Sequence, residues 1–544
     1  MKAAELFVRC LENEGVQYLF GLPGEENLDI MDALLDSTIK FVTTRHEQAA
    51  AFMADVYGRL TGKAGVCLAT LGPGATNMMT GVADANMDYS PIVAISGQSA
   101  TIHQHKESHQ YLDLVNLFKP ITKYAAQIIE PETIPEVVRK AFKQAQTGRF
   151  GASYIDFPEN VAKADIIGWT PLPSRPPVPP VPAPSQIQLA ADMISKARYP
   201  IILAGNGVIR AGASDQLLAF AEKLNIPVAT TFMAKGVIPF SHRLCLGAVG
   251  LKAYDYVMCG FERADVIITV GYDMVEYHPH PWNPGKNHKI IHIGAVPSEV
   301  DEHYYVAVEV QGHVGAALRS IGELTKPQSG HAAAGVRMAI IDDIAEYADD
   351  TGYPMKPQKI CWDIRQALPP DAIVISDVGA HKMWMARMFQ AERPNTCIIS
   401  NGFASMGIGL PGAIAAKLAY PERIAMTVTG DGGYMMNCQE METALRMETP
   451  LIVLIWNDDC YGLIEWHQLR RFGRKSHVNF GNPDFVKFAE SFGAKGYRVR
   501  AADELVPIIK QAVADNTVVV IDCPVDYSEN MKLTEKLGKL VCPI

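Results

Sequence analysis

The sequence predicts an α/β protein made of three doubly wound parallel-sheet domains. Three observations predict it. Short apolar runs recur along the 544 residues without polar alternation: GVCLAT, PIVAISG, SYIDFP, PIILAG, DVIITVG, AIVISDVG, RIAMTVTG, LIVLIWN and VVVIDCP. Continuous apolar strands belong to parallel sheets covered by helices on both faces. Longer helical stretches separate the runs, the pattern of βαβ units, and the chain is too long for one core.

The elements follow in order. MKAAELFVRCLENEG reads as an amphipathic helix without a secretory core, and it opens a first domain over 1–170. TPLPSRPPVPPVPAPS carries eight prolines and makes 171–185 a stiff, extended connector. A middle domain covers 186–325. TKPQSGHAAAG opens a softer connector over 326–349, and a third domain covers 350–544. No short-period repeat is visible.

Bulk composition excludes several classes. Hydrophobic residues at 48% and charged residues at 20% fit an ordinary globular protein. A net charge of −10 argues against nucleic acid or an anionic membrane as the main partner. The longest apolar runs, such as PLIVLIW, are too short to span a bilayer. The ten cysteines are scattered and none falls in a C-x-x-C pair, so neither a zinc site nor a disulfide framework is suggested. They read as small buried hydrophobes of a reduced compartment, with the cytoplasm as the simplest location.

The chemistry concentrates late in the chain. RIAMTVTGDGG reads as strand and turn, YMMNCQEMETALRM as one helix, and TPLIVLIWNDD as the next strand and turn. A right-handed crossover sets the two strands side by side, so Asp431 and Asn457–Asp458 emerge together at carboxyl ends, where α/β sheets bind ligands. Their hard oxygens suit Mg²⁺ bridging to phosphate. Gly430, Gly432 and Gly433 admit a phosphate to the backbone at a helix N-terminus. The missing P-loop lysine makes a diphosphate a better ligand than a triphosphate. A glycine-rich turn with surface acids is the plain alternative for G-D-G alone.

G-D-G followed after about 25 residues by an N-D pair resembles the binding motif of thiamine-diphosphate (ThDP) enzymes. The resemblance implies that Asp431 and Asp458 ligate the metal by side chain and Cys460 by its carbonyl. The family more often has Asn at the position of Asp458. FVTTRHEQAAAFMADVYGRLTGKAGVCLATLGPGATN, with GLPGEEN at 21–27, is similar to the pyrimidine-binding domain of acetohydroxyacid and acetolactate synthases. That similarity implies that Glu47 is the acid that activates the coenzyme's aminopyrimidine. Taken alone, Glu47 reads rather as a helix N-terminal carboxylate favoured by the dipole.

The resemblance implies further roles. In SNGFASMGIGLPGA, Met406 would wedge the coenzyme into its bent form and the Ala404 carbonyl would accept from the pyrimidine amine. Met436 would contact the same ring; without the family both methionines read as core filling. Gly379, Ala380 and His381 of SDVGAHKMW would close over the diphosphate, with Tyr461 nearby. The site would lie between subunits, so a homodimer is the minimum and a homotetramer the common family state.

The similarity spans nearly the whole chain and is strongest to the catabolic, flavin-independent acetolactate synthases. SHQYLDLVNLFKPITKY resembles their substrate-side segment, with Gln110 beside coenzyme and substrate, and VGYDMVEYHPHPWN resembles their middle domain. The R-F-D-D-R motif of the FAD-binding enzymes is missing, so FAD is not expected. AGNGVIRAG is a partial glycine fingerprint, read as a structural turn. The implied reaction joins two pyruvates, with loss of CO₂, to 2-acetolactate. Leu463, Ile464, Trp466 and His467 of CYGLIEWHQLRRFG would line the substrate pocket. His467 replaces the tryptophan or glutamine usual in the family. Pyruvate and another 2-oxo acid or aldehyde therefore both stay open, as does simple decarboxylation. HQHKESH could offer His105 and His109 to zinc on a helix, or form a solvated loop.

Overall fold

The computed structural model describes residues 1–251, 254–328 and 333–542. They form two compact units: Met1–Val178 with Gly402–Glu422 and Tyr434–Leu451, and Pro179–Asn401 with Arg423–Gly433 and Ile452–Ile544.

The first unit is built on β1 (Tyr18–Gly21), β2 (Lys40–Thr43), β3 (Gly65–Ala69), β4 (Ile92–Gln98), β5 (Tyr124–Gln127) and β6 (Ala152–Pro158). All pairs are parallel, in the order β2-β1-β3-β4-β6-β5. The helices Glu47–Thr61 and Pro73–Met87 lie against each other at close range. A Cβ on Gly81 would stand 2.6 Å from the Ala51 Cβ, so glycine there sets the approach. Helix Gly409–Ala419 packs on Glu47–Thr61 although it comes from far along the chain.

The second unit carries two sheets. β7 (Pro200–Ala204), β8 (Val228–Thr230), β9 (Cys245–Ala248), β10 (Val266–Val270), β11 (Lys289–Gly294) and β12 (Val306–Gln311) run in the order β12-β11-β10-β7-β8-β9. β13 (Ile373–Ser376), β14 (Cys397–Ile399), β15 (Ala425–Gly430), β16 (Ile452–Asn457), β17 (Lys495–Arg498) and β18 (Val519–Pro524) run β14-β13-β15-β16-β18-β17. That is the order of the first sheet displaced by twelve, a topological repeat the sequence does not reveal. The fold is α/β, with three parallel six-stranded sheets flanked by helices.

All nine apolar runs form strands. Residues 171–183 have no regular structure, and a helix starts at Pro184, where proline suits the first turn. A helix, Ala334–Ala345, lies within 326–349. Two expectations need correction. The single helix expected after G-D-G breaks into Asp431–Asn437 and Glu440–Arg446, and Asp431 itself begins the first of them. The cysteines are mostly buried thiols, as expected, but Cys259 and Cys542 form a disulfide across 283 residues of sequence. No pattern near either cysteine announces the pair, because only folding brings them together. Among the described residues no helix is long and apolar enough to cross a membrane.

Candidate active site

The second unit gathers the acidic clusters as their spacing requires. β15 and β16 are parallel neighbours with Gly430 opposite Trp456, so both chains leave the sheet at the same edge. Asp431 is 1% exposed, and its Oδ2 accepts from the Asp459 N–H at 2.7 Å and the Asp458 N–H at 3.3 Å. Its Oδ1 accepts from the Gly432 N–H at 2.8 Å. Asn482, absent from the sequence reading, donates to Asp431 at 2.7 Å, to Asp459 at 2.8 Å and to Asn457 at 3.2 Å.

Burial pushes the Asp458 carboxyl up to about 8, with Asp431, Glu465 and Asp459 adding to the rise. Burial also raises Asp431, against the hydrogen bonds that pull it down. Crowded, desolvated carboxylates of this kind are stabilised by a hard divalent cation. Side-chain atoms that could ligate a metal, a carboxylate oxygen each from Asp458 and Glu465 and the Cys460 Sγ, lie within 4.8 Å of one another.

His381 sits beside the same strand ends. A Cβ on Gly379 would meet its ring at 2.7 Å, so glycine is needed there to seat it, while one on Gly430 would only touch the ring at 3.4 Å. Burial lowers its basicity to about 3, which keeps the imidazole neutral, and its Nε2 is buried without a protein partner. Ala380 is buried beside it in the first turn of Ala380–Met388. The Tyr461 ring covers Gly432, where a Cβ would come within 2.8 Å, and packs on Phe480. Gly433 faces Asp377 and Thr429. Neutral donors and glycines beside paired carboxylates fit a metal-bound diphosphate.

Helix Gly462–Phe472 follows at once. Ile464 and His467 are exposed and Leu463 is half-buried. Trp466, expected in the pocket, lies in the hydrophobic core, where its Nε1 donates to Thr534 Oγ1 at 3.0 Å. It braces the helix from behind.

The first unit holds the other cluster. Glu47 is the first residue of its helix and 9% exposed; its Oε2 accepts from Asn77 Nδ2 at 3.0 Å. Its Oε1 lies 3.3 Å from where Gly74 would carry a Cβ, so the bare glycine leaves room at that oxygen. Gly72 is held at φ +52 against the Gln110 carbonyl, and Gln110 itself has φ +56 in an exposed loop. His103, His105 and His109 lie in a short 3-10 turn and the loop after it, not along one helix.

Ala404, at φ +58, and Met406 lie in the loop before Gly409–Ala419. The loop is tied down by buried acids: Asp88 accepts from Gly402 N–H at 2.5 Å and Asp84 from Ser405 N–H at 3.3 Å. Met436 stands beside Gly407, whose carbonyl accepts from Asn437 at 2.8 Å.

In the middle sheet the glycine turn is occupied by protein. The Asn206 N–H donates to the buried Glu276 carboxylate at 3.0 Å, and the Gly207 N–H donates to Gly271 at 2.8 Å. Burial, then Asp273, pushes Glu276 up to about 8.

Comparison with known proteins matches three family models in sequence order. They are the N-terminal thiamine pyrophosphate binding domain over 1–117, the central domain over 187–321, and the C-terminal binding domain over 377–523. Acetolactate synthase of Bacillus subtilis (strain 168) is 36% identical, covering 99% of this chain and 96% of that protein. A probable acetolactate synthase large subunit of Methanocaldococcus jannaschii is 37% identical over 99% and 94% of the two chains. A catabolic acetolactate synthase of Raoultella terrigena is 33% identical over 98% and 97%.

Proposed function

The chain belongs to the thiamine pyrophosphate enzyme family, and from that premise we propose that it decarboxylates pyruvate and condenses it with a second pyruvate to 2-acetolactate, using ThDP and Mg²⁺. One observation carries the reading. Asp431 and the 457–460 turn meet at the ends of β15 and β16, in a chain similar over almost its full length to acetolactate synthases.

When bound, the coenzyme supplies the electron sink for decarboxylation. This chain's residues do the rest. Asp431 and Asp458, with the Cys460 carbonyl, hold the cation. Gly379, Ala380, His381, Gly430, Gly432, Gly433 and Tyr461 surround the diphosphate. Ala404, Met406 and Met436 hold the pyrimidine. Glu47 would offer its Oε1, the oxygen that Asn77 leaves unclaimed, to the aminopyrimidine as the activating acid. Gln110, Leu463, Ile464 and His467 orient the substrate and exclude water from the reactive carbon. FAD is not part of the reading, and the turn N–H groups already bonded to Glu276 and Gly271 support that. The boundaries 1–170, 186–325 and 350–544 are proposed with it, supported by the order of the matched models.

The test is incubation with pyruvate, ThDP and Mg²⁺, with and without FAD, and identification of the product. Acetolactate, lost with EDTA and restored by Mg²⁺, supports the proposal; acetaldehyde alone overturns it. A different 2-oxo acid or aldehyde acceptor is the second reading, favoured by exposed His467, and acceptor competition in the same assay separates the two.

The proposed site is shared between two subunits of a dimer at least. Mixing inactive Glu47→Gln with inactive Asp431→Ala protein should then restore about a quarter of wild-type activity, since each mixed dimer keeps one intact site. No recovery after subunit exchange would place each site within one chain.

A further inference from the structure

The broken helix after Asp431 has a consequence at the opposite end of the sequence. Helix Glu440–Arg446 begins with a carboxylate that is 0% exposed. That carboxylate accepts from the Arg45 N–H, 395 residues away, at 3.0 Å through Oε1 and 3.2 Å through Oε2. Thr443 Oγ1 also donates to it, at 2.6 Å. At the far end of the helix the Arg446 guanidinium donates to the Thr43 carbonyl and is steadied by Glu442 at 2.9 Å.

The gripped residues, 43–46, are the turn between β2 and Glu47. His46 is extended, at φ −151 and ψ 142, and caps the helix by accepting from the Gln48 N–H at 3.1 Å. The Arg45 N–H at the helix entry would otherwise need water, in a place where the packed helix admits little. A buried carboxyl bonded to two donors fixes their direction, because moving either leaves a buried acceptor unpaired.

We infer that Glu440 is a positioning residue for Glu47, holding the 43–46 turn so that the Glu47 carboxyl enters the site in one direction. The inference rests on reading Glu47 as the activating acid. Neither Asp nor Ala preserves the grip: Asp is one methylene short and Ala has no acceptor. Gln keeps one acceptor oxygen, but its amide opposes an N–H.

The test uses full-length holoenzyme carrying Glu440→Ala, Glu440→Gln or Glu440→Asp, with Glu47→Gln as reference. Five quantities are measured: kcat and KM for pyruvate, exchange of the bound coenzyme's C2 proton for deuterium by NMR, coenzyme Kd, and melting temperature. Glu440→Ala should lower kcat and C2 exchange together, by about 10- to 100-fold. KM and coenzyme Kd should stay within about threefold. Glu440→Gln should fall between Ala and wild type. Wild-type exchange in a folded Glu440 variant overturns the inference, as does a loss of kcat without a loss of exchange. If Glu440→Ala does not fold, Glu440→Gln and Arg446→Ala, which loosens the same turn from its other side, decide by the same criterion. Wild-type exchange in Glu47→Gln would instead remove the reading of Glu47 itself.

Discussion

At the scale of single residues, the candidate site divides by how its members are spaced in sequence. Asp431 and Asp458 could be paired from sequence because one helix and one strand separate them, and β15 beside β16 keeps that arithmetic. Asn482 could not. It reaches Asp431 from 51 residues further on, out of a loop with no periodicity and no motif. Its amide donates to three groups of the cluster, so Asn482→Ala leaves the Asp431 carboxylate short of a charge-assisted bond, each such bond being worth about 1.5–3 kcal/mol. The expected outcome is about 10- to 100-fold weaker Mg²⁺-dependent ThDP binding with pyruvate KM little changed, read by titrating the coenzyme into the apoprotein. Unchanged coenzyme affinity would show that the backbone N–H groups of 458 and 459 suffice.

Elements explain why nine strands were visible and β2, β5 and β17 were not. β3, β4, β6, β7, β10, β13, β15, β16 and β18 are buried nearly end to end, which forces continuous apolar sequence. β2, β5 and β17 lie on sheet edges with half-exposed faces, so KFVT, YAAQ and KGYR carry no comparable signal. The helix pair beside the first sheet shows a second limit. Glu47–Asn77, Ala51–Gly81 and Arg59–Asp88 face each other along the two parallel helices, and Asp55 and Asp84 lie fully buried on them. Neither helix alone reveals what its acids meet.

Burial raises Asp55 to about 6, with Asp88 adding to it and Arg59, Asp84 and the Ser90 hydroxyl opposing. A raised carboxyl stabilises the fold below its unfolded value, near 3.8, and that stability is lost as pH climbs through about 6. Asp55→Asn mimics the protonated acid and cannot ionise. Relative to wild type it should gain on the order of 1–3 kcal/mol between pH 5 and pH 7, seen as a widening difference in Tm. A constant difference across that range would mean that Asp55 titrates normally.

The whole molecule adds relations that no segment contains. Helices Gly409–Ala419 and Glu440–Arg446 belong to the first compact unit, while the strands before and after them belong to the second. The C-terminal helix Glu529–Gly538 is held in the second unit by Trp384, Gln358 and Trp466, through bonds of 2.8 to 3.0 Å. The tail beyond it is tied to helix Tyr256–Arg263 by the Cys259–Cys542 disulfide. Disulfides are transient in reducing compartments, so the bond is exposed to cellular redox conditions if the protein resides in one. Reduction, or Cys542→Ser, should raise amide exchange in 539–542 by more than about tenfold while the Glu529–Gly538 helix keeps its protection. Mass spectrometry of exchange checks this, beside alkylation of two additional thiols on reduction or one in Cys542→Ser. Loss of protection through the helix as well would show that the bond holds the whole C-terminal segment.

The sequence by itself determined the fold class, the central strands, the pairing of Asp431 with Asp458, and membership of the thiamine pyrophosphate family. Each depends on local pattern: apolar continuity, one crossover length, or a motif read in order. Only the tertiary structure decided that Asn482 completes the acid cluster, that Trp466 is anchored in the hydrophobic core through Thr534, that Glu440 grips the turn before Glu47, and that Cys259 meets Cys542. Those contacts join positions from 51 to 395 residues apart, and a lone donor, indole, carboxylate or thiol has no partner in sequence until packing supplies one.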